Sequence, residues 1–378
     1  MLMSVLTPVS ARRSIIYYTL SRRGINHNTP SICLLQNKRT HSTTTTIKSY
    51  QNINTRPLRS MLYVPASNSR ALAKLESLSS IHKPDCVMFD LEDGCAPNKK
   101  DDSRGHIYQF LQDRKPLSST ATSNKDYFGL IRINRVDTKW FEDDTYTAFQ
   151  MCMSKNININ GIVLPKIESS QDVDLIAKHM LGLCNDDSLE DESDGSSSIV
   201  SPVPLWAMIE TPRAILSAAE IAAHSSVQGL IIGTNDLSKE LQLRPTCGSL
   251  SGTTNTTRDG LATSLQLVLL AGKAYNKPVI DGVYNNFSDE EGFRDECMQG
   301  KEWGMDGKTL IHPSQVSACN KILAPSQEEI EYAKSVVACW EISPDKGVAV
   351  LNGMMIEQLH VDNAKQLLDR AEVIESMS

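Results

Sequence analysis

Leu205-Trp-Ala-Met-Ile-Glu210-Thr-Pro-Arg213 and Leu230-Ile-Ile-Gly-Thr-Asn-Asp236-Leu237 decide how this chain folds. Each is an apolar run that stops at a carboxylate, and the carboxylates Glu210 and Asp236 lie 26 positions apart, about one strand-helix repeat. Parallel strands buried on both faces read as continuous apolar runs. A charge at the carboxyl end of such a strand stands where α/β folds bind their ligands. Two carboxylates on neighbouring strands make a candidate cation site.

Outward from this pair, eight short apolar runs punctuate the chain: Leu58–Val64, Cys86–Asp90, Phe128–Ile133, Gly161–Leu164, Pro204–Ile209, Gly229–Ile232, Pro278–Ile280 and Met305–Ile311. Helical periodicity fills most of the intervals. Ala71–Leu78 places Leu72, Leu75 and Leu78 on one face, and Asp172–Leu183 and Ala214–Ala223 behave likewise. Thr211-Pro212 supplies a cap followed by proline at the first helical position. Eight strands alternating with helices over about 250 residues is the pattern of a (β/α)8 TIM barrel, with a doubly wound open sheet as the alternative. The count of eight favours the barrel.

Both ends and one loop stand apart. From Met1 to Arg59 there is no acid, but there are nine Lys or Arg; the first acid is Glu76. An Arg-rich, hydroxyl-rich, acid-free start reads as an organelle transit peptide, with a basic tail as the alternative. Residues 1–55 are therefore expected to direct the chain to the mitochondrial matrix, with cleavage near Arg39 to Thr46. The barrel domain is expected over 56–325. Within it, residues 184–201 carry six acids between Asp186 and Asp194 and read as a mobile, functionally inert insertion. Residues 326–378 form a C-terminal helical extension. In it, Ser326–Trp340 reads as an amphipathic helix, Ser343–Val350 as a polar turn and short extended piece, and Asn352–Ser378 as a last helix that could cover the barrel mouth or a neighbouring subunit.

Without the first 59 residues the chain keeps 29 bases against 45 acids, a net charge of −16. That balance argues against nucleic acid or an anionic membrane as a partner. No apolar run approaches the roughly 20 residues of a membrane span. The nine cysteines show no CxxC spacing and the eight histidines no HxH or HExxH pair, so zinc is not expected. Cys86, Cys95, Cys152 and Cys297 lie in or beside expected elements, as reduced thiols do in a matrix or cytosolic compartment.

Glu210 and Asp236 with waters would suit Mg²⁺, a hard ion that leaves positions open for substrate. Each could instead pair with a base, and Asp236 could be a helix N-cap. Arg132 ends the third run in Leu130-Ile-Arg-Ile-Asn134, where a guanidinium needs an acid or a substrate anion. Phe89-Asp90-Leu-Glu92-Asp93-Gly94 ends the run next door; its acids could orient Arg132 or a metal's waters, or simply form ion pairs with the arginine. Lys166, in Leu164-Pro-Lys166, could form a Schiff base in a metal-free aldolase. Gly304-Met-Asp-Gly-Lys308-Thr309 mimics the end of a phosphate loop, but Glu302 takes the place of its first glycine. Gly248-Ser-Leu-Ser-Gly252 has Leu250 where a nucleophile elbow needs serine.

Arg59-Ser-Met-Leu-Tyr-Val-Pro65, Phe89–Gly94, Arg132-Ile-Asn134, Leu164-Pro-Lys166, Ile209-Glu-Thr-Pro212, Gly233-Thr-Asn-Asp-Leu237, Ile280-Asp-Gly282 and Gly307-Lys-Thr-Leu-Ile-His-Pro-Ser314 together resemble the citrate lyase beta-subunit-like family. That family falls within the HpcH/HpaI aldolase and malyl-CoA lyase superfamily, and the resemblance runs from about Arg56 to the end. It implies a (β/α)8 barrel, usually a homotrimer or homohexamer, that uses Mg²⁺ to cleave or form a carbon–carbon bond between acetyl-CoA and a 2-oxo acid. By the same resemblance Glu210 and Asp236 hold the metal and Arg132 binds substrate and stabilises the thioester enolate. Coenzyme A contacts fall at Tyr63, Arg70, Lys74, Thr309 and Leu310, with Glu92, Asp93 and Lys166 in support. Arg70 and Lys74, four apart on one helix face, also provide the local bases that a polyanion needs on an acidic protein. Malyl-CoA and citramalyl-CoA lyases place a catalytic Asp in a Met-Ile-Asp segment of the tail. Here the segment reads Gly353-Met-Met-Ile-Glu357, which assigns the acid/base role to Glu357 with one more methylene. The resemblance implies cleavage of citramalyl-CoA to acetyl-CoA and pyruvate, or of malyl-CoA to acetyl-CoA and glyoxylate. A malyl-CoA thioesterase and a carrier-dependent citrate lyase beta-type subunit are the alternatives.

Overall fold

The eight apolar runs become eight parallel strands: β1 (Ser60–Pro65), β2 (Cys86–Asp90), β3 (Phe128–Arg132), β4 (Ile162–Leu164), β5 (Leu205–Ile209), β6 (Val227–Ile232), β7 (Val279–Asp281) and β8 (Gly307–Leu310). The computed structural model describes residues 56–78, 83–113, 128–154, 157–184, 200–243, 256–342 and 347–377. All of these belong to one unit, Ile47–Ser378. The expected transit peptide and most of the acidic insertion lie outside the described residues. Each strand pairs with the next, and β8 returns to β1 with Ser60, Met61 and Leu62 opposite Lys308, Thr309 and Leu310. That closing ladder decides for the (β/α)8 barrel over an open sheet.

Alternation along the strands divides the core in two. Met61, Met88, Leu130, Trp206, Met208 and Ile231 fill the barrel interior. Leu62, Phe89, Ile131, Ala207, Leu230 and Ile232 face the surrounding helices. Trp206 is fully buried and meets Phe128 edge-on at 6.4 Å. Its indole occupies the space that a side chain at Gly229 would need, so glycine on β6 is a packing requirement. Thr211 caps the helix after β5 by accepting from the Ala214 amide at 3.1 Å, with Pro212 at its first turn. The helical stretch expected over Ala214–Ala223 is broken at Ser217 into Pro212–Leu216 and Ala218–Ala223.

Lys308, the lysine of the failed phosphate loop, points away from the barrel interior and is 1% exposed. Its Nζ donates to Asp281 Oδ2 at 2.9 Å, to the Gly282 carbonyl at 2.7 Å and to Glu296 Oε1 at 2.5 Å. Arg258 reaches the same two carboxylates at 2.9 Å each. Two cations and two anions cancel in a buried cluster that ties β7 and β8 to the helix Glu290–Trp303. Removing one partner would strand a buried charge.

The extension begins with the helix Gln327–Glu341, closed by a reciprocal capping box between Ser326 and Glu329. The last helix does not start near Asn352 as expected. Residues Ala349–Leu351 (β9) and Met354–Ile356 (β10) form an antiparallel hairpin, and the helix runs Gln358–Ser376. The reason is local: Asn352 and Gly353 adopt φ of 51° and 81°, the left-handed pair that a two-residue hairpin turn demands and Asn-Gly supplies. Ala333, Val336, Ala349, Ile356, Val361 and Ala364 give the extension a small core of its own.

Candidate active site

The carboxyl ends of β2 to β6 bring the expected residues together. Asp90 and Arg132 occupy equivalent positions on paired strands β2 and β3. Arg132 Nε donates to Asp90 Oδ1 at 2.8 Å and Nη2 to Oδ2 at 2.7 Å, a bidentate clamp. Asp90 also accepts from the Glu92 amide at 2.8 Å and the Gly94 amide at 2.9 Å. Burial pushes the Asp90 carboxyl up, but the guanidinium and these hydrogen bonds outweigh it and hold it below the usual range. Arg132 Nη1 lies 2.7 Å from Glu92 Oε2, and the Tyr63 ring sits 4.9 Å from the guanidinium carbon. Burial raises the Tyr63 phenol as well, so it stays protonated.

Glu92 is the second carboxylate on a guanidinium already neutralised by Asp90. Burial, opposed by Arg132 and reinforced by Asp93, Glu210 and Asp90, pushes it up to about 8. It is 5% exposed, whereas Asp93 beside it is exposed.

Glu210, just beyond β5, is 1% exposed. Gly233 lies against it so closely that a side chain there would strike the Glu210 Cβ at 2.5 Å. Burial raises the Glu210 carboxyl despite the nearby Lys166. Asp236 is in the first turn of the helix Thr234–Glu240, whose N-cap is Gly233. It is therefore not the cap; its Oδ1 accepts from Lys166 Nζ at 2.9 Å. Lys166 links the pair, since its amide donates to Glu210 Oε1 at 2.7 Å from a backbone held at φ 51°. Burial lowers the Lys166 ammonium, but Asp236 and Glu210 more than offset that, and its affinity for a proton rises above that of a free lysine. A protonated, ion-paired lysine is a poor nucleophile, which counts against Schiff-base chemistry.

Among the described residues no group of three or more His, Cys, Asp or Glu is placed to hold a metal. Two carboxylates with hard oxygen donors fit an ion such as Mg²⁺, which keeps most of its water and rarely has an all-protein cage. They do not fit zinc.

The other expected residues fall into three groups. Arg70 and Lys74 are exposed on the helix Ser69–Glu76 that follows β1. The Lys74 charge is felt at His312, which follows β8, so the helix and that loop border one surface. Thr309 and Leu310 are not offered to a ligand. They are 1% and 0% exposed, and the Thr309 hydroxyl donates to the Asp281 carbonyl at 3.0 Å. Both are inside β8, and the chain reaches the surface only at Ile311, 38% exposed. Glu357 stands at the N-cap of the last helix, its amide donating to His360 Nδ1 at 3.0 Å. No described hydrogen bond or ion pair joins it to Arg132, Glu210 or Asp236.

The support beneath Arg132 escaped sequence reasoning. Lys100 is 5% exposed and donates to the carbonyls of Leu91 at 2.9 Å and Glu92 at 3.0 Å and to Asn134 Oδ1 at 2.6 Å. Asn134 in turn donates to Asp144 Oδ2 at 2.6 Å. These contacts fix the turns after β2 and β3. A Lys-Lys-Asp-Asp start to a helix (Lys99–Asp102) reads as a solvated surface, and nothing local marks Lys100 as buried.

A model of the HpcH/HpaI aldolase/citrate lyase family matches residues 59–313. The (3S)-malyl-CoA thioesterase of Cereibacter sphaeroides strain ATCC 17025 is 38% identical over 322 residues, 84% of this chain and 96% of the relative. The citrate lyase subunit beta of Escherichia coli K12 is 33% identical over 328 residues, 86% of this chain and 97% of the relative. The solved structure of CitE from Mycobacterium tuberculosis in complex with magnesium, acetoacetate and coenzyme A superposes with a TM-score of 0.61 at 25% identity, covering 84% of this chain and 98% of that one.

Proposed function

The chain belongs to the HpcH/HpaI aldolase/citrate lyase family, and from that premise we propose a Mg²⁺-dependent lyase that cleaves a 3-hydroxyacyl-CoA dicarboxylate, citramalyl-CoA first and malyl-CoA second. At the coarser level, the family supports a CoA-related lyase or thioesterase, or a citrate lyase beta-type activity. One observation carries the finer reading: a buried guanidinium, clamped by Asp90, stands among the same strand ends as the Glu210–Asp236 pair. A substrate spanning the two sets of groups would place its acid half at the carboxylates and its thioester at the arginine.

Arginine has five N–H donors. Two serve Asp90, one faces Glu92 and one reaches the weakly accepting sulfur of Met208 at 3.8 Å, so the fifth donor and this weakly held one are left for a substrate oxygen. They stabilise the thioester enolate as the carbon–carbon bond breaks and its electron pair moves onto the acetyl fragment. Glu210 and Asp236 would hold the ion, which when bound supplies Lewis-acid polarisation of the acid half. Glu357 takes the hydroxyl proton as the carbonyl forms and returns a proton to the enolate carbon. Arg70 and Lys74 receive the phosphates of coenzyme A. Glu357 has no described hydrogen bond or ion pair to Arg132, Glu210 or Asp236 of its own chain, while Val350, Met354 and Met355 beside it are 70%, 51% and 58% exposed. These two facts favour an assembly, a homotrimer or homohexamer, in which the hairpin of one copy covers the barrel mouth of another. The acid-free start supports delivery to the mitochondrial matrix. Residues 1–55 fused to a fluorescent protein should then reach mitochondria, and diffuse cytosolic signal would overturn that assignment.

A second reading, thioester hydrolysis, is favoured by the name of the Cereibacter relative. One assay separates the two: citramalyl-CoA and malyl-CoA are supplied with and without EDTA, and the acids released are measured. Pyruvate or glyoxylate that disappears with EDTA supports the lyase. Free malate without glyoxylate supports the thioesterase, and full cleavage in EDTA sinks the metal assignment.

A further inference from the structure

A cavity of about 970 Å³ opens at the amino end of the barrel, opposite to Glu210 and Asp236. Its floor is the chain entering β1, β7 and β8, at Leu58, Pro278 and Asp306. Its wall is the last helix, which presents Asn363, Gln366, Leu367, Arg370 and Val373. Those positions recur at three and four residues, so they share one helix face. The volume is that of a pocket for a small molecule.

Charge inside this cavity does not cancel. Lys273 is paired with Asp306 at 2.7 Å and Lys301 with Glu329 at 2.8 Å. Lys277 forms no described ion pair, and burial alone lowers its ammonium. Arg370 makes one long contact, Nη2 to the Asp306 carbonyl at 3.4 Å, and its Nε is buried without a hydrogen-bond partner. Asp369 is the one lining acid without a described ion pair to set against them. Leu58, Met305, Leu323 and Leu367 provide an apolar surface beside the two cations. A buried guanidinium nitrogen with no acceptor is costly unless something accepts from it.

We infer that this cavity is a second ligand site, for a small polyanion whose phosphate or carboxylate groups meet Lys277 and Arg370 and whose remaining part lies on the apolar wall. It is independent of the chemistry proposed for the other end of the barrel. The helix that walls it begins next to Glu357, so an occupant would grip the segment that carries that residue.

The test is calorimetric titration of the full chain, saturated with coenzyme A to fill the other anion site, with inorganic pyrophosphate, ADP and citrate in turn. Saturable binding of one equivalent per chain is expected for at least one probe; pyrophosphate or ADP without citrate identifies phosphate, and citrate without them identifies carboxylate. Lys277→Gln combined with Arg370→Gln should weaken it by about tenfold to a hundredfold. Arg70→Gln should leave it unchanged. Lys277→Gln alone, on a surface-reaching side chain, guards against misfolding of the double variant and should weaken binding about tenfold or less. No binding of any probe at millimolar concentration, or binding indifferent to Lys277→Gln and to the double variant, would overturn the inference.

Discussion

Asp90→Asn is the sharpest perturbation of this site, because it changes one atom type at the centre of the clamp. The carboxylate accepts four hydrogen bonds, two from Arg132 and two from the amides of Glu92 and Gly94. Each oxygen accepts one guanidinium N–H and one amide N–H, so the asparagine NH₂ group confronts an arginine N–H and a backbone N–H, donor against donor. At least one charge-assisted bond is lost, worth about 1.5–3 kcal/mol. A guanidinium that is 7% exposed also loses its principal counter-charge, and breaking such a buried pair costs about 3–5 kcal/mol. Glu92, 2.7 Å from Nη1, offsets part of this by ionising more readily once Asp90 is neutral. The net expectation is about 3 kcal/mol, or a melting temperature lower by roughly 4–5 °C, given an unfolding entropy of about 2.1 cal/mol/K per residue over the barrel and its extension. Activity should fall by about a hundredfold, because Arg132 is free to shift by about 1 Å. Thermal unfolding by circular dichroism and cleavage of citramalyl-CoA read the two effects separately. A variant that melts within a degree of the parent and keeps its turnover would refute the clamp as the device that positions Arg132.

Gly233→Ala drives a Cβ into Glu210 and should weaken Mg²⁺ binding by about tenfold or more, measured with Mn²⁺ as a paramagnetic reporter; unchanged affinity removes Glu210 from the metal site. Borohydride with pyruvate should leave Lys166 unlabelled, since its ammonium is paired with Asp236 at 2.9 Å; a reduced adduct at Lys166 in the mass spectrum would restore the Schiff-base mechanism. Glu92, pushed up to about 8 by burial, keeps a proton in the folded state that it loses in the unfolded chain above about 4.5. Its contribution to stability is therefore complete below that value and is lost as pH rises towards 8. Glu92→Gln should flatten the decline in urea-unfolding stability between pH 5 and 8, and an unaltered slope would remove Glu92 as its source.

Much of the barrel was readable in one dimension. Strands buried on both faces need uninterrupted apolar runs, and eight such runs can be counted; the Thr211-Pro212 start of a helix is a local capping event. The Leu351-Asn-Gly-Met354 turn is equally local, yet the helical period of the tail masks it, so the short extended piece before it is legible while the turn and the second strand read as helix. Glu210, Asp236, Arg132 and Lys166 stand out in the sequence because charges at the ends of apolar runs have few structural uses. The burial of Lys100, Lys308 and Arg258 does not, since a buried base with a distant partner looks in sequence like any surface base.

By itself, then, the sequence determined which residues stand at the carboxyl ends of the strands, because strand length and burial are written in successive residues. Only the tertiary structure decided how they are used. It joined β8 to β1, turned Lys308 outward to Asp281 and Arg132 inward to Asp90, and sealed Thr309 and Leu310 inside a strand. It also placed Glu357 at the N-cap of the last helix, with no described hydrogen bond or ion pair to Arg132, Glu210 or Asp236 of its own chain. The physical reason is that pairing energy depends on distance and burial, which chain order does not encode, whereas the alternation and capping that build each strand and helix act between near neighbours.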